Sequence, residues 1–296
     1  MKILAVIVTY RAMPWIDRCL GSLLASGHPA DIMVVDNGSD DGTSAYIREH
    51  FPQVRLQEAG ENLGFGRANN IGLRYALEQD YDAVYLMNQD AWVEKDTLET
   101  LELVARHNPG YGIFSPFQMS GPLRYDDNFL DRTLSSTPFA RDLAEQDVKM
   151  LYPVRFVMAA HWLVTRRCLE TVGLFAPVFP LYGEDDNYCQ RARFHGLGIG
   201  IVPLAKAVHD RSERVESKEK IIYRNYRMAS LVMLCDIRRP LWMQVLKVLG
   251  YTFVKTVRYG SFLPWKHLRE LFAQFPEIRR TRTESRGQGA FIAASK

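Results

Sequence analysis

Cysteines are scarce in this 296-residue sequence, and long uncharged apolar runs are missing. The four cysteines are Cys19, Cys168, Cys189 and Cys235. Because they lie far apart and form no CxxC pair, we expect neither a zinc site nor a disulfide framework, and a reducing cytoplasm fits best. No stretch reaches the roughly 18 uncharged apolar residues of a membrane-spanning helix. The apolar N-terminal run ends at Val8, too short for a signal peptide, so we expect a buried first strand.

Two glycine-rich phosphate-binding patterns are missing as well. The segment Asn62-Leu63-Gly64-Phe65-Gly66 enters a predicted helix, and a helix N-terminus beside glycine favours phosphate or other polar ligands. It has neither the GxGxxG spacing of a dinucleotide-binding turn nor a Gly-Lys-Ser/Thr sequence. The sequence therefore argues against both a Rossmann-type dinucleotide site and a P-loop.

The net charge is only +3, and the basic residues concentrate near the C-terminus. Residues 238–296 contain twelve Lys and Arg but three acidic residues. Apolar residues alternate there with Lys247, Lys255 and Arg258 in a pattern typical of an amphipathic helix. Two interpretations stay open: the helix lies on an anionic membrane surface, or it packs on the rest of the chain or on a second subunit. No aromatic RNA-binding or helix-turn-helix pattern supports nucleic-acid binding by this region.

Short strands alternate with amphipathic helical stretches along the first 110 residues, which predicts an α/β fold with a mostly parallel sheet. Strands are expected at 3–8, 32–35, 54–57 and 83–87, and helices at 15–25, 44–50, 67–77 and 95–107. Further strands are expected at 111–118, 151–165, 198–202 and 205–208, an irregular stretch at 121–149, and a helix at 184–195. We predict a main unit over 1–217, with halves at 1–110 and 111–217, and a helical basic region over 218–296.

Four polar clusters stand at the ends of apolar runs or beside them. They are Thr9-Tyr10-Arg11, Asp36-Asn37-Gly38-Ser39, Asn88-Gln89-Asp90 and Glu184-Asp185-Asp186-Asn187. Ligands of an open α/β sheet bind where the strands end at their carboxyl edge, so we expect these clusters to meet at one cleft. Such a cleft suits a nucleotide, a divalent metal ion and a general base.

Each strand-end cluster also has a plain structural interpretation. Asp36 can accept the N–H of a pyrimidine ring, whereas the residues from Ser39 onward can simply cap the next helix. Asp90 can bind a hard cation together with diphosphate oxygens and water, or it can cap a helix. Asn88 can bind a ribose or a metal-bound water. His209 gains interest because a metal site with one carboxylate needs a second protein ligand, although a lone histidine is more often structural.

The acidic run Glu184-Asp185-Asp186 precedes a predicted helix, where each acid complements the helix dipole by about 0.3–1 kcal/mol. The aromatic flank before it, Phe179 to Tyr182, indicates partial desolvation, which raises the pKa of a carboxylate towards that of a useful base. Dipole complementation and general-base catalysis therefore both remain open for this run.

Nine motifs in order carry a resemblance to a known family. They are Val8-Thr9-Tyr10, Val35 to Ser39 with Asp41-Gly42-Thr43, Glu61-Asn62 with Gly64-Phe65, Asn69-Asn70 with Gly72, Met87 to Asp90, Arg166-Arg167 to Phe175, Tyr182 with Glu184-Asp185, Cys189 with Arg191-Ala192-Arg193, and His209. Over roughly residues 2–227 the chain resembles the family 2 glycosyltransferases of the GT-A fold, in particular the bacterial rhamnosyl- and galactofuranosyltransferase branch that builds surface polysaccharides.

The resemblance implies a donor site that binds a nucleotide-sugar and Mn²⁺ or Mg²⁺. Thr9, Tyr10 and Asp36 would hold the nucleobase, and Asn62, Gly64 and Asn70 would shape the nucleotide-sugar pocket with Asn88. Asp90 corresponds to the last carboxylate of the family's DxD motif and would bind the metal, with His209 as its partner. One departure matters here, because the DxD motif is Asn-Gln-Asp in this chain and leaves one clear metal carboxylate.

The resemblance also implies an inverting transfer in which Asp185 deprotonates the acceptor hydroxyl. His161, Trp162 and Glu184 would line the acceptor site. The donor would be dTDP-rhamnose or a UDP-sugar, and the acceptor a glycan or a polyprenyl-linked sugar, which favours a cytoplasmic location on the inner face of the cell membrane. The family's Glu-Asp-x-Asp sequence ends in Asn187 here, and the oligomeric state stays open.

Two other functions compete with this one. A sugar-phosphate nucleotidyltransferase would carry a glycine-rich basic loop after the first strand, but Thr9 is followed by Tyr10-Arg11-Ala12-Met13-Pro14, without glycine. A nucleotide-sugar-binding protein that has lost catalysis is the other alternative, suggested by the Asn-Gln-Asp sequence. Donor hydrolysis separates that alternative from the enzyme.

Overall fold

The computed structural model describes residues 1–121, 124–126, 129–210 and 224–293. Its strands are β1 (Ile3–Thr9), β2 (Asp31–Asp36), β3 (Arg55–Glu58), β4 (Ala83–Asn88), β5 (Ala91–Val93), β6 (Tyr111–Gly121), β7 (Arg124–Tyr125), β8 (Tyr152–Pro153), β9 (His161–Thr165) and β10 (Gly198–His209). They form one sheet in the order β3-β2-β1-β4-β9-β6-β10-β5, with β7 beside β6 and β8 beside β10.

The first half of the sheet is parallel throughout. β1 pairs with β2 and β4, and β2 pairs with β3, all in parallel register. The residues of β1 are nearly all buried, as expected for a parallel strand covered on both faces. The prediction of a mostly parallel sheet is confirmed for this half, and the carboxyl ends of β1, β2 and β4 lie at one edge.

Beyond β4 the sheet is mixed, because β9 inserts antiparallel between β4 and β6 and β5 pairs antiparallel with β10. The helices are α1 (Ile16–Leu24), α2 (Thr43–His50), α3 (Phe65–Glu78), α4 (Thr97–His107), α5 (Phe139–Ala144), α6 (Arg166–Val172), α7 (Glu184–Phe194), α8 (Ala229–Cys235), α9 (Leu241–Tyr259), α10 (Leu263–Ala273) and α11 (Phe275–Glu284). Up to residue 107, every predicted strand and helix is present and begins and ends within two residues of its predicted bounds, because the apolar residues of each recur with a single period, whereas the short strand β5 was not predicted.

The second half departs from the predicted elements in three places. The strand expected at 151–165 is two short strands, β8 and β9, since an apolar run can equally be a buried irregular segment. The strands expected at 198–202 and 205–208 are one strand, β10, with a shift of register between Val202 and Lys206. Pro203 lies at this shift, where its missing N–H is tolerated. The stretch expected to be irregular contains α5 and a π-helical turn, Leu130–Leu134.

The C-terminal helices share a hydrophobic core with the sheet. Leu231, Leu271 and Ile278 are buried in the same cluster as Trp162 and Phe175. The predicted boundary between 217 and 218 lies outside the described residues, so the division into domains stays a prediction. Within the described part of the chain, no helix has both the length and the apolar character needed to cross a membrane.

Two buried arginines tie this region together. Arg191 of α7 donates to the carbonyl oxygens of Val172 and Leu174 at 2.9 and 2.5 Å. Arg282 of α11 donates to the carbonyl oxygens of Leu234, Asp236 and Arg239 at 2.6–2.7 Å. Since buried carbonyl groups must be paired, these contacts fix the turns before α7 and before α9.

Candidate active site

The ends of β1 and β2 are joined by buried polar contacts. The Thr9 hydroxyl donates to Asp36 Oδ1 at 2.9 Å, and both residues are almost fully buried. Asp36 also accepts from the Ser39 N–H at 3.0 Å and from the Ser39 hydroxyl at 2.6 Å. The carboxylate is therefore held in one orientation at the strand end, and the exposed ring of Tyr10 follows directly after Thr9.

The loop before α3 is held over the end of β2. Asn37 donates to Asn62 Oδ1 at 3.0 Å and accepts from the Leu63 N–H at 2.8 Å. Gly64 has a φ of +80°, and a Cβ atom placed there would lie 2.0 Å from the Pro180 carbonyl oxygen. Glycine is therefore required where this loop meets the segment before α7.

The cluster after β4 also fixes the chain after β1. Gln89 accepts from the Tyr10 N–H at 2.6 Å and donates to the Tyr10 carbonyl oxygen at 3.1 Å. The Gln89 side-chain amide thus binds both backbone groups of Tyr10, as the backbone of a neighbouring strand would. The neighbouring residues Asn88 and Asp90 remain directed to the end of β10, where His209 lies.

Asp90 and His209 are brought together by the pairing of β5 with β10. Nε2 of His209 lies 3.4 Å from Oδ1 of Asp90 and 3.3 Å from Nδ2 of Asn88. His209 Nδ1 and Asn88 Oδ1 are buried without a hydrogen-bond partner. Asn88, Asp90 and His209 therefore present two candidate metal-ligand atoms and an unused amide oxygen at one point.

This donor set fits a divalent cation. Two ligand atoms bound to one cation at about 2.1 Å lie roughly 3–3.5 Å apart, which agrees with the observed separation of Asp90 and His209. Within the described residues, no three His, Cys, Asp or Glu side chains gather into a metal site. A cation here would therefore complete its shell with diphosphate oxygens and water, as Mg²⁺ usually does.

The acidic run lies at the start of α7, after a sharp turn. Tyr182 has a φ of +67° and Gly183 a φ of +87°, so two successive residues are left-handed. Such a conformation is strained for tyrosine and is most often found at functional sites. The turn buries Glu184 and leaves Asp185 and Asp186 half-buried.

Burial raises the pKa of all three acids. Burial and the charge of Asp185 raise the pKa of Glu184 to about 8, and the same two causes raise the pKa of Asp186 to about 7. Burial also raises the pKa of Asp185, against the hydrogen bond that it accepts from the Asp186 N–H at 2.8 Å and the opposing influence of the Ala159 backbone. Arg132, with its guanidinium 3.7 Å from Asp186 Oδ2, lowers the pKa of both aspartates. The three acids therefore share fewer than three charges near neutral pH.

The segment before β9 connects the acids to the end of β4. The Ala159 backbone lowers the pKa of the nearby Asp185, and Ala160 accepts from the Asn88 N–H at 3.0 Å. On the other side, a Cβ atom on Gly66 in the first turn of α3 would lie 3.6 Å from Glu184 Cβ. The acids therefore lie beside the start of α3 and are linked to the β4 end through residues 159 and 160.

Two predicted acceptor residues lie elsewhere than expected. The side chains of His161 and Trp162 are fully buried, which corrects the prediction that they line the acceptor site. His161 Nε2 donates to the Val208 carbonyl oxygen at 3.1 Å, so its Nδ1 accepts from the Tyr85 hydroxyl at 2.8 Å, and burial lowers the pKa of His161 to about 3. Trp162 stacks on Phe175 in the core. Successive side chains of a strand point to opposite faces of the sheet, so His161 and Trp162 lie on opposite faces of β9, and both faces are packed.

Asn70 is placed differently from the other predicted donor residues. Its amide donates to the Phe175 carbonyl oxygen and accepts from the Phe175 N–H, both at 2.9 Å. The side chain is thus fully used in holding the segment before α7. Its influence on the nucleotide-sugar pocket is therefore through position and not through direct contact.

Comparison with known proteins decides the family. The model of "Glycosyl transferase family 2" matches residues 4–173, more than half of the chain. The chain belongs to glycosyl transferase family 2. It is 28% identical, over 70% of its length and 75% of the relative's, to the N-acetylglucosaminyl-diphospho-decaprenol L-rhamnosyltransferase of Mycobacterium tuberculosis. It is 22% identical to the dTDP-rhamnosyl transferase RfbF of Shigella flexneri, over 70% of the chain and 69% of the relative.

The fold of this glycosyltransferase is also found in solved structures. The mannosyltransferase PcManGT from Pyrobaculum calidifontis, in complex with GDP-Man and Mn²⁺, superimposes with a TM-score of 0.60 at 19% identity, over 96% of this chain and 84% of that one. At this identity the similarity concerns the fold alone. The prediction of a GT-A fold with a helical C-terminal region is confirmed.

Three residues of the transferase site were assigned no role in the sequence analysis. Asn37 and Gln89 stand inside recognised motifs, so their position was a usable signal, but their partners come from other strand ends. Arg132 lies in the stretch expected to be irregular, and its guanidinium also stacks over the Phe156 ring at 4.6 Å. No local pattern marks it, because its acidic partner is more than fifty residues away in sequence.

Replacing Gly64 with alanine tests the contact between the donor loop and the segment before α7. We expect Gly64→Ala to weaken nucleotide-sugar binding and to lower the free energy of unfolding by more than about 1 kcal/mol, because the new Cβ meets the Pro180 carbonyl. Gly60→Ala is the matched control, since Gly60 also has a positive φ but no atom within 4 Å of the added Cβ. Equal losses in the two variants, measured by urea unfolding and ligand titration, would contradict the contact.

Replacing Arg132 with glutamine tests the electrostatics of the acids. The Arg132 charge lowers the pKa of Asp185, so its removal should shift the acidic limb of the kcat/KM profile to higher pH, by about half a unit for this partly exposed arginine. Arg141→Gln removes the same charge from α5, where the partner is Asp142, and should leave the limb in place. Superimposable profiles for both variants and the parent protein would show that Arg132 has no electrostatic influence on the base.

Proposed function

We propose that this glycosyltransferase transfers a sugar, with inversion, from a dTDP- or UDP-sugar to a lipid-linked or glycan acceptor. One observation carries the proposal: the Ala159 backbone lies close enough to Asp185 to lower its pKa, and the next residue, Ala160, accepts from the N–H of Asn88 at the β4 end. A candidate base and a candidate diphosphate site are therefore connected by two adjacent residues of one segment. The names of the rhamnosyltransferase relatives favour rhamnose as the sugar.

The donor nucleotide would occupy the edge formed by β1, β2 and β4. Asp36 Oδ2 accepts one hydrogen bond, from the Ser39 N–H, and so retains capacity to accept the N–H of a pyrimidine base. The exposed Tyr10 ring offers a face on which the base can stack. The N-terminus of α3, with Gly64 at its cap, would direct N–H groups to the diphosphate.

Asp90 and His209 would hold Mn²⁺ or Mg²⁺ at the diphosphate. When bound, such a cation neutralises negative charge that develops on the leaving diphosphate. The unused Asn88 Oδ1 would face the same point and accept from a ribose hydroxyl or a bound water. The metal requirement is part of the proposal, and the Mn²⁺ found with the mannosyltransferase PcManGT supports it.

Asp185 would act as the general base. The acceptor hydroxyl gives its proton to the Asp185 carboxylate while its oxygen forms a bond to the anomeric carbon, and the bond from that carbon to the diphosphate breaks with the electron pair leaving on the diphosphate. This single displacement inverts the anomeric configuration. The raised pKa of Asp185 favours proton acceptance, and the buried Glu184 beside it would accept a hydrogen bond from the acceptor sugar through its unpartnered Oε2.

A donor screen tests the proposed function. dTDP-rhamnose and a set of UDP-sugars would be assayed for thermal stabilisation and slow donor hydrolysis, with and without Mn²⁺ or Mg²⁺. We expect one donor to raise the Tm by mass action, and more so with metal. The stabilisation by metal should be lost in Asp90→Asn. Absence of both stabilisation and hydrolysis with every donor would contradict the proposal.

Replacing Asp185 with asparagine separates catalysis from donor binding. We expect Asp185→Asn to lower kcat at least about a hundredfold, because general-base catalysis is lost, while the Kd for the donor nucleotide changes little. Asp186→Asn is the control, since it removes the neighbouring acid that faces Arg132. Turnover retained in Asp185→Asn would refute its role as base.

One side of helix α9 carries large exposed apolar residues, which supports a membrane-facing surface. Trp242, Leu246, Phe253 and Val257 are each 60–68% exposed, and their spacing places them within about 60° of one another around the helix. We call them the apolar stripe. The residues that α9 buries, Gln244, Val248 and Thr252, lie on the opposite side. Because the exposed Lys247 and Arg258 lie on the side of α9 next to the apolar stripe, the stripe would lie on an anionic membrane surface.

Polar substitution tests the membrane surface without disturbing the core. We expect Trp242→Ser/Phe253→Ser to reduce co-sedimentation with vesicles that contain phosphatidylglycerol by about tenfold or more, because it removes two large buried contacts with lipid. Leu103→Ser/Leu143→Ser is the control, since both leucines are exposed elsewhere on the chain. Unchanged partitioning of the first variant would contradict membrane contact by α9.

A further inference from the structure

A cavity lies between the end of α7 and the start of α9, away from the proposed active site. It has a volume of about 890 Å³. Its charged lining consists of Arg155, Arg193, Arg238, Arg239, Lys247 and Asp236. We call it the basic pocket. Five cations and one carboxylate around one cavity form a strongly positive site that the proposed sugar transfer does not use.

The positive charge of the basic pocket is not balanced within the described chain. Asp236 binds Arg238 through both of its oxygens, at 2.8 Å each. Among the described residues, no ion pair is formed by Arg155, Arg193, Arg239 or Lys247. Burial lowers the pKa of Arg193, and the charges of Arg238 and Arg155 lower it further. Like charges gathered in this way destabilise one another unless an anion joins them.

The basic pocket has a rigid frame. The turn that carries Arg238 and Arg239 is held from beneath by the buried Arg282, which binds the carbonyl oxygens of Asp236 and Arg239. Arg193 extends from the last turn of α7, next to the buried Ala192. These cationic side chains therefore extend from a fixed backbone, so that binding of an anion costs little conformational entropy of the backbone.

The basic pocket adjoins the apolar stripe. Met243 lines the pocket and is 40% exposed, and Lys247 lies one turn further along α9. Trp242 and Leu246 of the apolar stripe immediately precede these two residues. The pocket therefore begins beside the stripe, at Met243 and Lys247, and extends to Gln244 on the other side of α9.

We propose that the basic pocket binds the phosphate of a membrane lipid, an inference that rests on the proposed membrane contact and acceptor class. Guanidinium groups match phosphate oxygens in geometry and charge. Asp185 and Arg193 stand eight residues apart on α7, about 12 Å along the helix axis. A lipid-linked acceptor whose phosphate lies in the pocket can therefore extend its sugar along α7 to the base. The phosphate of a bilayer headgroup presents the same chemistry.

Vesicle binding by the full chain distinguishes these two sources. Vesicles of phosphatidylcholine alone are compared with vesicles that also contain phosphatidylglycerol, and with vesicles that contain a small fraction of undecaprenyl diphosphate. The pocket variant is Arg239→Gln/Lys247→Gln. The control is Arg279→Gln/Arg280→Gln, which removes the same charge from exposed positions on α11 that do not line the pocket.

Because the phosphate of phosphatidylcholine is balanced by its choline charge, we expect an anionic lipid to tighten binding of the parent protein and of the control, and the pocket variant to lose about tenfold or more of that gain. A loss confined to undecaprenyl diphosphate assigns the pocket to the acceptor phosphate, and a loss with phosphatidylglycerol assigns it to a headgroup. Equal losses in the pocket variant and the control would overturn the proposal, since net charge alone would then explain them. No gain from either lipid would overturn it as well.

Donor hydrolysis without vesicles keeps this test separate from the proposed function. Both double variants should hydrolyse the donor at the rate of the parent protein, because neither changes a residue of the proposed active site. If the parent protein is neither stabilised by any donor nor hydrolyses one, the proposed sugar transfer fails, while the vesicle result still decides whether the pocket binds a lipid phosphate.

Discussion

Two hydrogen bonds between the Asn70 side chain and the Phe175 backbone join the halves of the catalytic unit. Both are 2.9 Å long and buried, and the residues lie 105 positions apart. Losing them would leave buried backbone groups unpaired, at about 1–3 kcal/mol each. From Phe175 the chain passes beneath Gly64 and enters α7 at Glu184. This junction therefore helps to set the distance between the β-strand ends and the acids of α7, together with the close approach of Gly64 to Pro180.

The acids of α7 are placed where their charges are unfavourable. Three carboxyl groups lie side by side, mostly out of water, with the partly exposed Arg132 and the helix N-terminus as compensation. A stable fold does not need this arrangement, since an apolar turn could begin the helix equally well. The strained Tyr182 in the preceding turn adds to the cost. Groups held in such a way are typical of sites where proton transfer is required.

Local patterns predicted much of the fold and a smaller part of the site. The strands and helices up to His107 follow from hydrophobic period, and the polar ends of β1, β2 and β4 follow from parallel pairing. The apolar run at 151–165 was ambiguous, because burial alone does not distinguish a strand from a core loop. His161 and Trp162 looked available for binding, yet β9 lies between β4 and β6 and buries both.

The sequence by itself determined the parallel half of the sheet, the strand-end residues Asp36 and Asp90, and the acidic start of α7, because these depend on periods and neighbours within a few residues. The tertiary structure alone decided that Arg132 faces Asp186, that Asp90 meets His209, and that arginines from α7 and the turn before α9 form one pocket. Such contacts join residues tens to more than a hundred positions apart. Their formation depends on how whole elements pack, which no local pattern records.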